Sequence, residues 1–327
     1  MATASTTSAS VRPAGRAILI RMRIPQVMTC MLATAMLWLF TSGSASSAVP
    51  AGRSTSPMNV YRGFTDPETV AIRGYSGSAM EPFVPPDGHY LLFNTSNLQP
   101  NVPSLQFATR VDSRTFAYQG EIRGTNTRRA LSGTPTLDLN GTLYFISTRS
   151  YSRTLSTVYT GQFSSGHVTG VHLVRGVSGG PPGVVDFDVE VSPDGSTLYV
   201  SVGNFGGGSH LTSAGLTIFD RARNVFVPDP HSARILDAVN KPGLLTYAAS
   251  ISANGLELFF TRENPPSGEP AIYRAVRTAR DQSFDHVERV AAITGFAEAP
   301  SVSADGTTLY YHHRVGNTFH IGVVTRP

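Results

Sequence analysis

The sequence predicts an all-β chain assembled from five copies of one strand-bearing unit. Three observations carry that reading. A short phrase recurs as EPFVPPDGHYLLF (81–93), GTPTLDLNGTLYF (133–145), DVEVSPDGSTLYV (188–200), AASISANGLELFF (248–260) and APSVSADGTTLYY (299–311). Its Asp-Gly or Asn-Gly pair falls at 87/88, 140/141, 194/195, 254/255 and 305/306, giving a period of 53, 54, 60 and 51 residues. A period of that size marks an array of equivalent supersecondary units. The phrases are also followed by two further strand-like runs, one in the last copy, so a full unit holds four strands.

The chain opens differently. In residues 1–48, Arg12, Arg16, Arg21 and Arg23 precede an apolar stretch from Val27 to Phe40, and small residues run on to Ala48. That is the order of a secretory signal peptide, with cleavage after Ala45 or Ala48. The apolar run is about 14 residues, whereas a spanning helix needs roughly 20. No membrane span is expected once the leader is removed. Residues 49–66 read as a flexible lead-in, and 67–327 as the repeat domain.

Within each phrase the columns separate by chemistry. Three positions before the Asp/Asn stand Val84, Leu137, Val191, Ile251 and Val302, followed by mostly small or polar residues. Alternation, then Asp-Gly, then an apolar run such as Leu198-Tyr199-Val200, is a hairpin signal. The second copy is one residue shorter after Gly141, so its turn should differ. Outer strands follow at 156–159 and 170–174, at 216–219 and 233–236, and at 271–273 and 289–293. The fifth unit stops after 319–324. Its missing fourth strand is expected from residues 68–73, because ETVAIRGYSG (68–77) parallels ERVAAITGFA (288–297). Four-stranded units around a ring closed by both termini form a five-bladed β-propeller, which leaves only short sheet edges.

The phrase resembles the WD-like repeats of the TolB type, written S-P-D-G-x-x-L-x-[FY]. Ser192-Pro193-Asp194-Gly195-Ser196-Thr197-Leu198-Tyr199 matches best. The resemblance covers nearly all of the chain after its leader and implies the fold; propellers host many functions. TolB itself is expected to carry an α/β domain before its propeller, and no such domain fits here.

Composition excludes several chemistries. The leader holds four of the 26 Lys+Arg and none of the 22 Asp+Glu, so the remainder is balanced and gives no reason to expect nucleic acid. The one cysteine, Cys30, lies in the apolar stretch, which excludes disulfides and Cys-ligated metal beyond it. Lys241 is the only lysine. No cofactor or metal is implied, and a monomer is expected.

Residues six or seven before each Asp/Asn should reach the channel mouth of a propeller. These include Glu81, Asp188 and Glu298, with Asp186 upstream. Asp186, Asp188 and Glu190 alternate and should project from one face of a strand. Arg149 and Arg314, near the ends of second strands, should join them, with Tyr247 and Phe187 at the same entrance. Converging carboxylates serve acid/base chemistry or a hard cation; more often they bond backbone amides or arginines between blades. Gly-rich loops at 176–188 and 203–215 flank the third unit. Gly176-Val177-Ser178-Gly179-Gly180 has the form of a nucleophile elbow but lacks the helix that gives that motif meaning. His312, His313 and His320 lie on neighbouring strands without metal-ligand spacing.

Two functions follow. The first is an exported, periplasmic or extracellular binding or scaffold module, more a binder than an enzyme, whose partner is an envelope protein or a polar or glycan ligand. The second is a carbohydrate-active enzyme, glycoside hydrolase or lyase, using Glu81, Asp188 and Glu298 from three blades. Arginine pairing of these carboxylates would count against the second.

Overall fold

The computed structural model describes residues 60–97, 102–206, 211–265 and 268–327. The expected leader and the start of the lead-in lie outside the described residues. Three short strands open the described chain: β1 (Val60–Tyr61), β2 (Thr65–Thr69) and β3 (Ala71–Arg73). Blade I is then β4 (Met80–Phe83), β5 (Tyr90–Asn94), β6 (Leu105–Arg110) and β7 (Thr115–Glu121). Blade II is β8 (Ser132–Leu137), β9 (Thr142–Ser147), β10 (Val158–Ser164) and β11 (His167–Leu173). Blade III is β12 (Val184–Val191), β13 (Thr197–Asn204), β14 (Ser213–Ala222) and β15 (Val225–Pro228). Blade IV is β16 (Leu245–Ile251), β17 (Glu257–Glu263), β18 (Ala271–Val276) and β19 (Asp285–Val290). Blade V supplies β20 (Ala297–Val302), β21 (Thr308–Val315) and β22 (Thr318–Thr325), and β2 completes it from the N-terminal side. Pairing inside each blade is antiparallel, and blades III and IV touch edgewise through one parallel pair, Ala214 with Leu245.

The hairpins form for the reason their sequence suggests. Gly88, Gly141, Gly195, Gly255 and Gly306 all have φ between 69° and 75°, a region a Cβ disfavours. In blade III, Ser192 Oγ accepts from the Thr197 amide at 3.0 Å and Asp194 Oδ1 from the Ser196 amide at 3.0 Å. Blade II has Asp138 in place of that serine. One carboxylate oxygen there accepts both Asn140 N–H at 2.9 Å and Thr142 N–H at 2.8 Å, which accommodates the shorter turn.

Two sets of hydrogen bonds run around the ring between inner strands. In the first, a side chain four positions before the turn accepts from an amide of the next blade. Val191 N–H donates to Thr136 (3.3 Å), Ile251 N–H to Glu190 (3.2 Å), Val302 N–H to Ser250 (3.1 Å) and Val84 N–H to Ser301 (3.2 Å). In the second, a residue near the end of each second strand accepts from the bulged residue of the next blade. The pairs are Thr134 N–H to Asn94 (3.0 Å), Ala248 N–H to Ser201 (3.0 Å), Ala299 N–H to Thr261 (2.9 Å) and Glu81 N–H to His312 Nδ1 (3.2 Å). Each set is interrupted once, where Phe83 and Ile146 offer no acceptor. Both pass from blade V to blade I, so the ring is closed.

A third linkage explains the preference for arginine over lysine. Arg110, Arg221 and Arg277 each donate Nε–H to the turn glycine carbonyl of their own blade, at 2.5, 2.7 and 2.7 Å. Their Nη2 atoms reach Tyr310, Tyr144 and Tyr199 hydroxyls in the preceding blade, and the guanidinium groups lie over Phe116, Phe226 and Phe284. A planar fork can do this and a lysine cannot.

Three expectations need correction. The closing strand is Thr65–Thr69, carried on by Val70 N–H to Ile321 O (2.8 Å), while Ala71–Arg73 turns away to pair parallel with β7 of blade I. Residues 60–66 are not a lead-in, since Val60–Tyr61 pairs with β19 and Phe64 is buried. The fourth strand of blade III is Val225–Pro228; residues 233–235 instead lie in the helical turn α1 (Ser232–Ile235), which Leu236 ends, packed between blades III and IV. A short apolar run does not distinguish these alternatives by periodicity.

Candidate functional site

Every inner strand has a register shift at the same place, between Met80/Phe83, Gly133/Thr136, Asp186/Asp188, Tyr247/Ser250 and Glu298/Ser301. At four of them the residue six before the turn takes a left-handed backbone: Glu81 (φ 50°), Thr134 (49°), Ala248 (50°) and Ala299 (52°). Non-glycine residues adopt this only when surrounding contacts hold them, and the second ring of amide bonds does so. The bulges bring Glu81, Thr134, Asp188, Ala248 and Ala299 around one small axial cavity of about 20 Å3.

The bulge at Phe187 also breaks the expected alternation. Asp188 and Glu190 line the cavity, but Asp186 does not. Glu190 is committed to the framework: Oε2 accepts from Thr136 Oγ1 (2.8 Å), and Oε1 from Ser250 Oγ (3.3 Å) and the Ile251 amide. Asp188 Oδ1 accepts from Ser201 Oγ (3.3 Å). Asp186 Oδ2 is buried with no hydrogen-bond partner in the described structure.

Glu298 is held from two sides. Tyr247 donates its hydroxyl to Oε1, and His312 Nε2 lies 3.1 Å from Oε2. Because His312 Nδ1 accepts the Glu81 amide, Nε2 carries the proton and donates to Glu298. His312 is fully buried. His313 and His320 pair across β21 and β22 on the opposite face, with rings 6.1 Å apart, so the three histidines do not gather. Among the described residues no group of three His, Asp or Glu side chains is placed to hold a metal.

The two arginines expected here are elsewhere engaged. Arg149 bonds Ser147 Oγ (3.1 Å) and the Thr125 carbonyl, with its guanidinium 4.9 Å from the Tyr159 ring centre. Arg314 lies 5.3 Å over Phe296. An apolar cluster including Phe187, Phe205, Tyr151 and Tyr247 packs at this end of the ring instead, and Tyr247 joins it to Glu298. The Gly-rich stretch at 176–180 packs between blades rather than forming an elbow, since a Cβ on Gly176 would meet the Phe226 carbonyl oxygen at 1.8 Å.

Burial without cations governs the acidity of this nest. Desolvation pushes Asp186 and Asp188 up to about 7, Glu190 to about 8 and Glu263 to about 7. Glu81 is raised well above its ordinary value by burial first, then by Asp188 and Glu298. Unfolded carboxylates titrate near ~4. Between about pH 4 and pH 8 the folded chain therefore binds more protons than the unfolded one. By linkage this stabilisation is complete below that window and lost as pH rises through 7 to 8. Thermal unfolding followed by circular dichroism should give a midpoint roughly 5 °C or more lower at pH 8.5 than at pH 5. Asp188→Asn, which removes one such group, should narrow the gap; an unchanged or reversed gap would contradict the assignment.

No protein-family model matches the chain, and no curated protein sequence does. Solved structures match its fold. A glycoside hydrolase superposes with a TM-score of 0.54 at 11% identity, covering 83% of this chain and 92% of that one. The catalytic domain of a Coprinopsis cinerea GH62 α-L-arabinofuranosidase gives 0.51 at 11% identity, covering 82% and 97%. TolB from Acinetobacter baumannii gives 0.43 at 15% identity, covering 76% of this chain and 54% of that chain, about half of its length. At these identities the likeness is one of fold. The protein is a β-propeller.

Proposed function

We propose that the protein is an exported, TolB-like propeller that works as a binding module in the cell envelope or outside the cell. Its recognition face is the carboxylate end of the channel. The observation that carries this reading is the size of the axial cavity. At about 20 Å3 it admits a water molecule, not a sugar ring, at Glu81 and Asp188. The S-P-D-G repeat supports the TolB-like assignment, and the basic, apolar, small-residue leader supports export. Among the described residues no helix is long and apolar enough to cross a membrane.

A second reading, a glycoside hydrolase, is favoured by one observation. Glu81, Asp188 and Glu298 come from three blades, influence one another electrostatically, and lack the arginine partners that would mark them as structural ion pairs. Glycosidases need a raised-pKa carboxyl beside a second carboxylate.

One experiment separates the two. Purified full-length protein and its E81Q/D188N/E298Q variant would be used to capture partners from envelope extract and, in parallel, be incubated with a glycan panel. Specific capture lost in the variant, without turnover, is the expected result. Glycan turnover abolished by the same substitutions would overturn the binding reading in favour of the hydrolase.

A further inference from the structure

The repeats provide an internal control for side-chain size at the blade junctions. Opposite the residue five positions after the turn, the third strand carries Phe107 in blade I, Ile218 in III, Arg274 in IV and Val323 in V. Blade II, whose turn is one residue shorter, carries Thr160 there, facing Tyr144 four positions after Asn140, and follows it with Gly161. Its fourth strand adds Thr169 and Gly170 to the same surface. The elements that plug the next junctions, such as α1 with Ile235 and the following Leu236 between III and IV or Phe64 between IV and V, have no counterpart here. The outcome is a groove of about 440 Å3 between blades II and III, within the range of small-molecule sites.

The lining has a definite chemical character. It includes Arg175 and Arg221 and no carboxylate. Arg221 spends Nε on Gly195 O and Nη2 on Tyr144, and no partner among the described residues takes its Nη1. Arg175 is exposed and forms no ion pair among the described residues. His172 Nδ1 is bonded to Gly170 O at 2.6 Å, which leaves Nε2 as an acceptor. Thr160 Oγ1 is buried against the Tyr144 side chain that it faces. The Tyr144 and Phe226 rings are themselves buried, so the groove offers no open aromatic face for a flat ligand.

We propose that this groove binds a sugar acid: a polyhydroxylated ring bearing one carboxylate. The two guanidinium groups hold the anion in charge-assisted hydrogen bonds. The Thr142 and Thr169 hydroxyls, the Gln162 and Asn224 amides and His172 Nε2 serve the ring hydroxyls. The site lies at the turn end of the ring, separate from the axial carboxylates, and stands or falls independently of the function proposed above.

The test uses the full chain titrated with D-galacturonate, neutral D-galactose and inorganic phosphate, read by amide chemical shifts and calorimetry. Galacturonate should bind saturably and shift the Thr169, Gly170 and Asn224 amides. An R175A/H172A variant, altered only at two exposed side chains, should bind it about tenfold or more weakly while keeping its unfolding midpoint. E81Q/D188N should bind it as the parent does. Absence of saturable binding, an R175A/H172A affinity equal to the parent's, or galactose binding as tightly as galacturonate would overturn the proposal. Phosphate binding as tightly would also overturn it, since the groove would then select a bare anion.

Discussion

Removing residues 1–59 should leave the melting temperature unchanged, whereas removing 1–73 should abolish cooperative unfolding. The segment from Val60 to Arg73 binds three blades in succession. β1 extends the outer edge of blade IV, β2 supplies the fourth strand of blade V, and β3 extends blade I. Phe64 and Val70 are buried in two different inter-blade clusters, and Tyr61 takes hydrogen bonds from Arg326 Nη1 at 2.8 Å. Burying two side chains of this kind is worth roughly 3–5 kcal/mol before any strand pairing is counted. The shorter truncation removes none of it. Calorimetry on both forms checks the expectation, and equal midpoints would show that the ring does not depend on this clasp.

The second large effect is expected at Glu190. Its carboxyl joins blade III to Thr136 of blade II and to Ser250 and Ile251 of blade IV, all in buried surroundings. Glu190→Ala leaves these donors facing a void, at a cost of about 3 kcal/mol or more, and should lower the midpoint by roughly 10 °C. Glu190→Gln keeps an acceptor for the Ser250 hydroxyl and the Ile251 amide, and its new amide N–H turns to Thr136 Oγ1, which rotates to accept it. It should remain within about 1 kcal/mol of the parent and gain relative stability above pH 8, where the parent must ionise a buried acid. A Glu190→Ala protein as stable as the parent would show that the inner hydrogen-bond ring contributes nothing.

The parts of this architecture legible in the sequence are those fixed by local chemistry. Five Asp/Asn-Gly turns can be read because a left-handed glycine and a side-chain acceptor two residues before the bonded amide are both short-range requirements. The strands flanking them follow from alternation. The threading of residues 60–73 escaped because β1 and β3 are two- and three-residue parallel edges with no pattern of their own. At the channel, the sequence places Glu81, Asp188, Tyr247 and Glu298 at one end of the ring, and the structure brings them together there. It could not show the bulge at Phe187, which separates Asp186 from Asp188, nor that Glu190 would be bound to its neighbours. His312 was missed as their partner. The signal was present, since Asn94, Ser201, Thr261 and His312 occupy one column and three of them are plain acceptors. The blade II groove was legible too, as a threonine and glycines where other units carry bulk, once the third strands are aligned.

Because β2 leaves the ribosome about 250 residues before its partner β22, the earliest part of the ring to be made is among the last to be satisfied. Four complete blades can assemble while β2 stays unpaired, and only translation through Val324 supplies the matching edge. A chain released early would thus display an unmatched strand, the kind of edge that proteases and aggregates recognise. The fold ties closure of the ring to the synthesis of β22.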